Sequence, residues 1–255
     1  MPSTGTASYT INRDQLIAAS MRTLRVLREG DVPNATQVAN AVACLEMLVK
    51  NMQSKGLQLW AYQLLAIPLA ANQQSYTIGP SGADVTSVRP LRLFDGAYIR
   101  QTVNGMSFDT PLRVISRLEY LQFGAKASSS FPNSVYYHPG IDTAGGVTSP
   151  STGYGTLFVY TTAAQTGSTI YGNFQRPLYD MTNATDEFDM PQEWFRALRF
   201  GLAADLSYEM PVDINIARDV RARAKEVLDE MQDWSVEWAP LQMTPDWSMG
   251  NFRSM

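Results

Sequence analysis

Residues 193–211, EWFRALRFGLAADLSYEMP, decide how this chain is read. The stretch opens just after Pro191 and closes at Pro211, and prolines mark helix starts and stops. At about 100° per residue its apolar side chains do not keep to one stripe. Trp194, Ala197, Leu198, Gly201, Ala204 and Tyr208 fall on one side, Phe195, Leu202 and Leu206 on the next, and Phe200 lies behind. A helix that is apolar nearly all round must be buried on nearly all sides. Gly201 and the alanines let neighbouring backbones come close. The stretch carries no nucleophile and no metal-ligand spacing, so what it offers is packing, inside one bundle or in a bundle completed by a second subunit. Trp194, Leu198, Gly201, Leu202 and Leu206 are the expected packing positions. Asp205 falls near Trp194 on the same mostly apolar face. A buried carboxylate needs a partner, and Arg196 or Arg199 from a neighbouring helix or subunit is the expected one.

Around this helix the chain reads helices, then strands, then helices. Thr10 is the expected cap of a first helix reaching about Arg28, with Leu16, Ile17, Leu24 and Leu27 inward. Pro33 and Asn34 open a second, in which Val38, Ala41, Val42, Leu45, Leu48, Val49 and Met52 form a stripe, and Gly56 stops it. The two are expected to form an antiparallel hairpin. From about residue 57 to 176 the texture changes. LQLWAYQLLAIPL, the turn-like AANQQ and SYTIG predict a β-hairpin, and 90–94, 97–101, 135–137, 156–160 and 168–174 read as strands. SRLEYLQF at 116–123 reads as a short helix, and 141–155 as a Gly/Ser/Thr loop. A last helix spans 211–233. On it Arg218, Arg221, Asp229 and Glu230 are the expected inter-subunit charge pairs, each worth a few tenths of a kcal/mol. The fold expected is α+β: an antiparallel α-helical bundle from residues 1–56 and 177–233, an inserted mostly-β, sandwich-like domain at 57–176, and an extended C-terminal tail at 234–255.

With 255 residues, 45% of them hydrophobic, the chain can build a sizeable core. Charged residues make up only 17%, against about 25% in an average soluble protein. The surface must therefore be rich in hydroxyls and amides or be hidden in subunit contacts. A net charge of −4 argues against a general nucleic-acid binder, because wrapping phosphate needs clustered Lys and Arg. A mildly repulsive wall is the expected relation to DNA. Cys44 is the single cysteine, which excludes an intrachain disulfide and a cysteine zinc site and fits folding in a reducing compartment. The start, MPSTGTASYTINRD, lacks the pattern of a signal peptide, and no run has the length of a membrane span.

Residues that carry chemistry elsewhere are sparse. His138 is the one histidine, in YYHPG, with no G-x-S-x-G elbow beside it. Cys44 flanks an apolar stripe, as buried free cysteines do. Asp180, Asp186, Glu187 and Asp189 cluster in YDMTNATDEFDM, which lacks the calcium-loop pattern; they are expected to cap the helix that starts near Pro191. No metal, cofactor or catalytic constellation is expected. The tail holds Trp234, Trp238, Trp247 and Phe252 together with Met243, Met249 and Met255. Such anchors fit interface cores, so the tail is expected to dock on another chain, the other reading being that it folds onto its own β domain.

FQRPLYDMTNATDEFDMPQEWFRALRFGLAADLSYEMP, ARDVRARAKEVLDEM, TINRDQLIAASMRTLRVL, GLQLWAYQ, FPNSVYYHP and GTLFVYTT together resemble the head-to-tail adaptor proteins, or tail accessory factors, of short-tailed double-stranded DNA phages. The likeness covers most of residues 10–233 and is one of hydrophobic pattern and small residues. It implies a non-enzymatic virion protein, assembled in the host cytoplasm as a homo-oligomeric ring, typically a dodecamer, beneath the portal protein. Helices of such a ring surround a channel for passing double-stranded DNA without sequence-specific binding, and its outer domain meets tail nozzle or tail fibre proteins. Trp234, Trp238, Trp247, Met249 and Phe252 are then the expected contacts to portal or neighbouring subunit. Two rival classes stand beside it. One is a virion-associated cell-wall hydrolase, with an Asp or Glu of the 180–193 segment as acid, Glu187 and Glu193 being the first to change to Gln. The other is a carbohydrate- or receptor-binding tail module, with Tyr136, Tyr137 and Tyr154 stacking on sugars.

Overall fold

Asn12, Asn34 and Ser116 each accept a hydrogen bond from the backbone N–H three residues on, and Gln15, Gln37 and Glu119 reach back to the N–H of the cap. This reciprocal pairing satisfies two donors that a helix start otherwise leaves orphaned. It fixes the starts of α1 (Arg13–Thr23), α2 (Ala35–Ser54) and α3 (Arg117–Gln122). The computed structural model describes residues 9–55, 59–140, 142–143, 146–147, 153–164 and 166–234. Between α2 and α3 run β1 (Tyr62–Pro68), β2 (Ser75–Gly79), β3 (Val85–Thr86), β4 (Arg92–Leu93), β5 (Tyr98–Val103), β6 (Met106–Pro111) and β7 (Arg113–Val114). After α3 come β8 (Ser129–Ser130), β9 (Ser134–His138), β10 (Asp142–Thr143), β11 (Gly146–Val147), β12 (Gly155–Tyr160), β13 (Thr162–Ala163) and β14 (Ser168–Gln175). A 3-10 turn at Gln192–Trp194 leads into α4 (Phe195–Glu209), and α5 (Ile214–Trp234) follows.

One five-stranded sheet has the order β1-β14-β5-β6, with β4 also on β14, and the other the order β3-β2-β12-β9-β7. β10–β11 and β8–β13 are small two-stranded additions. Ile67, Ile99, Ile170 and Phe174 from the first large sheet share a buried cluster with Ile78, Val135, Leu157 and Val159 from the second. A second buried cluster gathers side chains of α1, α2, α4 and α5 with Ala61, Leu178, Met181 and Phe188. The two meet at a polar joint: buried Gln175 on β14 donates to the Gln53 carbonyl at 3.2 Å, and the Gln53 side chain accepts from Leu178 N at 3.1 Å.

The fold class expected from the sequence is corrected. Strands hold 26% of the residues and helices 37%, and the strands are spread over several sheets, so the chain is a mixed α/β structure and not an antiparallel helical bundle carrying an inserted β domain. Three particulars explain the error. First, α1 ends at Thr23 because Arg25 takes φ +59°, and a left-handed residue cannot continue a right-handed helix. The cap is also Asn12 rather than Thr10. Second, α1 and α2 pack mainly on α4 rather than on each other. Third, β1 and β2 do not form the expected hairpin: β1 pairs with β14, and β2 pairs with β12 and, in parallel, with β3. Two-residue strands such as β3, β7 and β13, all in parallel pairs, carry no readable alternation.

Candidate functional site

α4 is wrapped by α1, α2 and α5 of its own chain. Leu198, Leu202 and Leu206 are fully buried there, and Trp194 is buried with its ring 4.8 Å from that of Trp60. The indole N–H groups of Trp60 and Trp194 meet no acceptor among the described residues. A Cβ on Gly201 would stand 3.1 Å from Leu48 Cδ2, so a side chain there would crowd Leu48 in the α2–α4 contact. The apolar side chains at these positions are therefore packed within one copy.

Asp205 is different: it is exposed, and neither Arg196 nor Arg199 salt-bridges it. Arg199 instead bonds Thr23 Oγ1 at 3.0 Å. Asp205 shares the α4 surface with Glu209, and desolvation first, then the Glu209 charge, push its carboxyl above the ordinary range. The nearby Cys44 thiol donates to Glu209 Oε1 at 3.3 Å. Burial, and then Glu209, push that thiol up to about 11. It stays protonated at neutral pH, which is wrong for a nucleophile.

On α5, Arg218, Asp229 and Glu230 are exposed. Arg221 is committed inside the chain, its guanidinium 3.7 Å above the Tyr208 ring and bonded to Ser207 Oγ at 2.9 Å. Trp234, the last described residue, is exposed; Trp238, Trp247, Met249 and Phe252 lie outside the described residues.

The acidic segment after β14 is structural, but not as a cap. Pro191, at the start of the 3-10 turn, has no side-chain cap bond. Asp189 instead grips Arg176 through both carboxylate oxygens, with Arg176 Nη2 to Oδ1 at 2.7 Å. Asp186 closes a turn by accepting from Asn183 N at 2.7 Å, which holds its carboxyl below the ordinary range. Asp186 O also accepts from Arg13 N at 3.1 Å, tying the segment to α1. His138 stands on β9 with Nδ1 3.2 Å from Tyr136 Oη. Tyr137 is buried and donates to Pro90 O at 2.7 Å, and Tyr154 donates to Ser81 O at 2.6 Å. The latter two tyrosines are spent on packing rather than displayed for stacking.

A feature that the sequence reading passed over is the β5–β6 hairpin. Asn104 and Gly105 form its two-residue loop, both at positive φ, +52° and +79°. This is the conformation a tight hairpin needs and a glycine tolerates. All of β6 is exposed. Arg100 clamps Asp109 with two bonds of 2.7 Å and lies over the stacked rings of Tyr98 and Tyr171. The other side of the hairpin carries bare apolar side chains, Val103 at 53%, Met106 at 67% and Phe108 at 56% exposed. They continue on the same side as buried Ile99, and Val103 lines a cleft of about 320 Å³ together with Phe131. Asn-Gly between alternating residues, QTVNGMSF, is the signal that finds it.

A cavity of about 510 Å³ lies beside α2, lined by Lys50 and Gln53 of that helix, by Val88 and Leu91 between β3 and β4, and by Leu178 after β14. Among the described residues, no group of three or more His, Cys, Asp or Glu is placed to hold a metal, and no helix is long and apolar enough to cross a membrane. Compared with known proteins, the chain matches no family model, and no curated protein matches its sequence.

Proposed function

We propose that this chain is a structural virion protein, a subunit of the head-to-tail adaptor ring of a short-tailed double-stranded DNA phage. In this reading a homo-oligomeric ring, assembled in the host cytoplasm, sits under the portal protein. It forms part of the DNA channel and gives tail nozzle or fibre proteins their attachment point. The supporting likeness covers most of residues 10–233 in the sequence. The observation that carries the reading is the set of exposed apolar side chains: Val103, Met106 and Phe108 together on one hairpin, with Leu118 and Leu121 on α3 and Ile214 and Trp234 on α5. Exposed apolar side chains gathered on one hairpin mark an interaction site, and a fully buried side chain of this size contributes roughly 1.5–3 kcal/mol. The mechanism is assembly. Contacts between copies and with the portal bury this surface, while a net charge of −4 keeps the duplex from sticking to the wall.

The test is mass. The purified chain, alone and mixed with its cognate portal ring, is expected to form a closed ring in at least the second condition. Ending the chain after Asp233 is expected to leave a folded monomer that no longer joins the portal. A full-length chain that stays monomeric with the portal and turns over cell-wall glycan would replace the reading with the hydrolase.

A further inference from the structure

Among the described residues, the first large sheet ends in two open edges that match each other. In the hairpin, the two-residue loop makes Val103 and Met106 a hydrogen-bonded pair, so Gln101 with Phe108 and Ile99 with Thr110 are bonded pairs too. The Leu112 N to Ala97 O bond of 2.8 Å continues this alternation. Ser107 and Asp109 fall between, and turn their N–H and C=O groups away from β5. On the far side of the sheet, Leu69 N to Ser168 O at 2.9 Å and Arg176 N to Ala61 O at 2.8 Å set the phase of the β1–β14 ladder. Leu64 and Ala66 therefore turn theirs outward. Among the described residues, no strand lies on the outer side of β6 or β1.

We propose that β6 of one copy pairs antiparallel with β1 of the next, Asp109 opposite Leu64 and Ser107 opposite Ala66, joining copies head to tail into one continuous sheet. The residues that meet are two on each edge, two apart, with a proline (Pro111 or Pro68) that lacks a donor just beyond them. Four backbone hydrogen bonds form in this register and neither proline interrupts them. The intervening pairs bring Phe108 beside Leu65 and Met106 beside Ile67 of the second copy. Leu65 and Ile67 are buried on the inner face of β1. The apolar row that runs off the end of one core thus continues into the next. Asp109 brings no bare charge into the joint, because Arg100 already holds both its oxygens. β1 and β5 run one way, β14 and β6 the other, so the appended β1 keeps the alternation and the joint repeats. Such an interface is heterologous and closes into a ring when its rotation allows. The inference rests on the ring reading and deepens it by naming the edges that meet.

Two sets of variants test it. Residues paired in this way have Cα atoms about 5.5 Å apart, inside the disulfide range. The double variant Ala66→Cys/Ser107→Cys should give a ladder of covalent multimers on mild oxidation. Each single variant should stay one chain, and a mixture of the two singles should stop at dimers. Ser107→Pro and Ala66→Pro each remove an outward N–H that the monomer does not use. Circular dichroism should be unchanged and the subunit dissociation constant raised at least tenfold. Rings of wild-type mass from both proline variants, with no ladder from the double cysteine, would overturn the edge joint and leave the ring reading standing. Dimers from Ser107→Cys alone would show a two-fold contact and overturn head-to-tail pairing. A wild-type chain that stays monomeric, alone and with the portal ring, overturns both readings.

Discussion

Single residues set the sign of two expectations. Asp205 and Glu209 are like charges one helical turn apart, and the Asp205 carboxyl is raised from its ordinary 3.8 by desolvation first and by Glu209 second. A raised acid keeps its proton in the folded chain after the unfolded chain has lost it. Stability therefore falls as pH rises through the window above 3.8. Asp205→Asn is expected to stabilise the chain by about 0.2–0.5 kcal/mol at pH 7, with the gain fading near pH 4, as read from urea midpoints at the two pH values. Gly201 works by volume. Its Cβ position lies 3.1 Å from Leu48 Cδ2, and Gly201→Val should cost about 1–3 kcal/mol by overpacking the α2–α4 contact. The crowding at Gly201 was legible in the sequence as a small residue on an all-apolar helix. The exposure of Asp205 was not, because its wheel position says which side of the helix it takes but not where α2 stops covering it.

At the scale of elements, the acidic link before α4 is the instructive one. A run of carboxylates ahead of a helix suggests capping, and charge near a helix start is favourable. The chain instead spends Asp189 on Arg176, just past the end of β14, and Asp186 on its own turn and on the start of α1. Asp189→Ala is expected to cost about 1.5–3 kcal/mol, the range for bonds between charged groups, measured by denaturant unfolding. Asp180→Ala should cost under about 1 kcal/mol because its pair with Lys50 is exposed. A helix start is visible in a few consecutive residues. A contact with the end of β14 depends on how the strand and link are brought together, and spacing along the chain does not encode it.

For the molecule as a whole, the apolar side chains on the β5–β6 hairpin separate stability from assembly. Since Met106 and Phe108 are more than half exposed, replacing both with serine is expected to leave unfolding free energy within about 0.5 kcal/mol. The same change should weaken self-association, measured by sedimentation. Local pattern alone located α2, α3, α4 and α5 to within a few residues, and the long strands β5, β9, β12 and β14, because proline and glycine boundaries and periodicity act over a handful of neighbours. It also marked Trp194, Leu198, Leu202 and Leu206 as interior. Which strands pair, that β1 and β2 part to different sheets, that α1 halts at Thr23, and that two sheet edges carry no further strand among the described residues were decided only by the tertiary structure. Those outcomes depend on contacts between residues far apart in the chain. A strand's alternation says which side chains share a face, and nothing within the strand says which neighbour completes its hydrogen bonds.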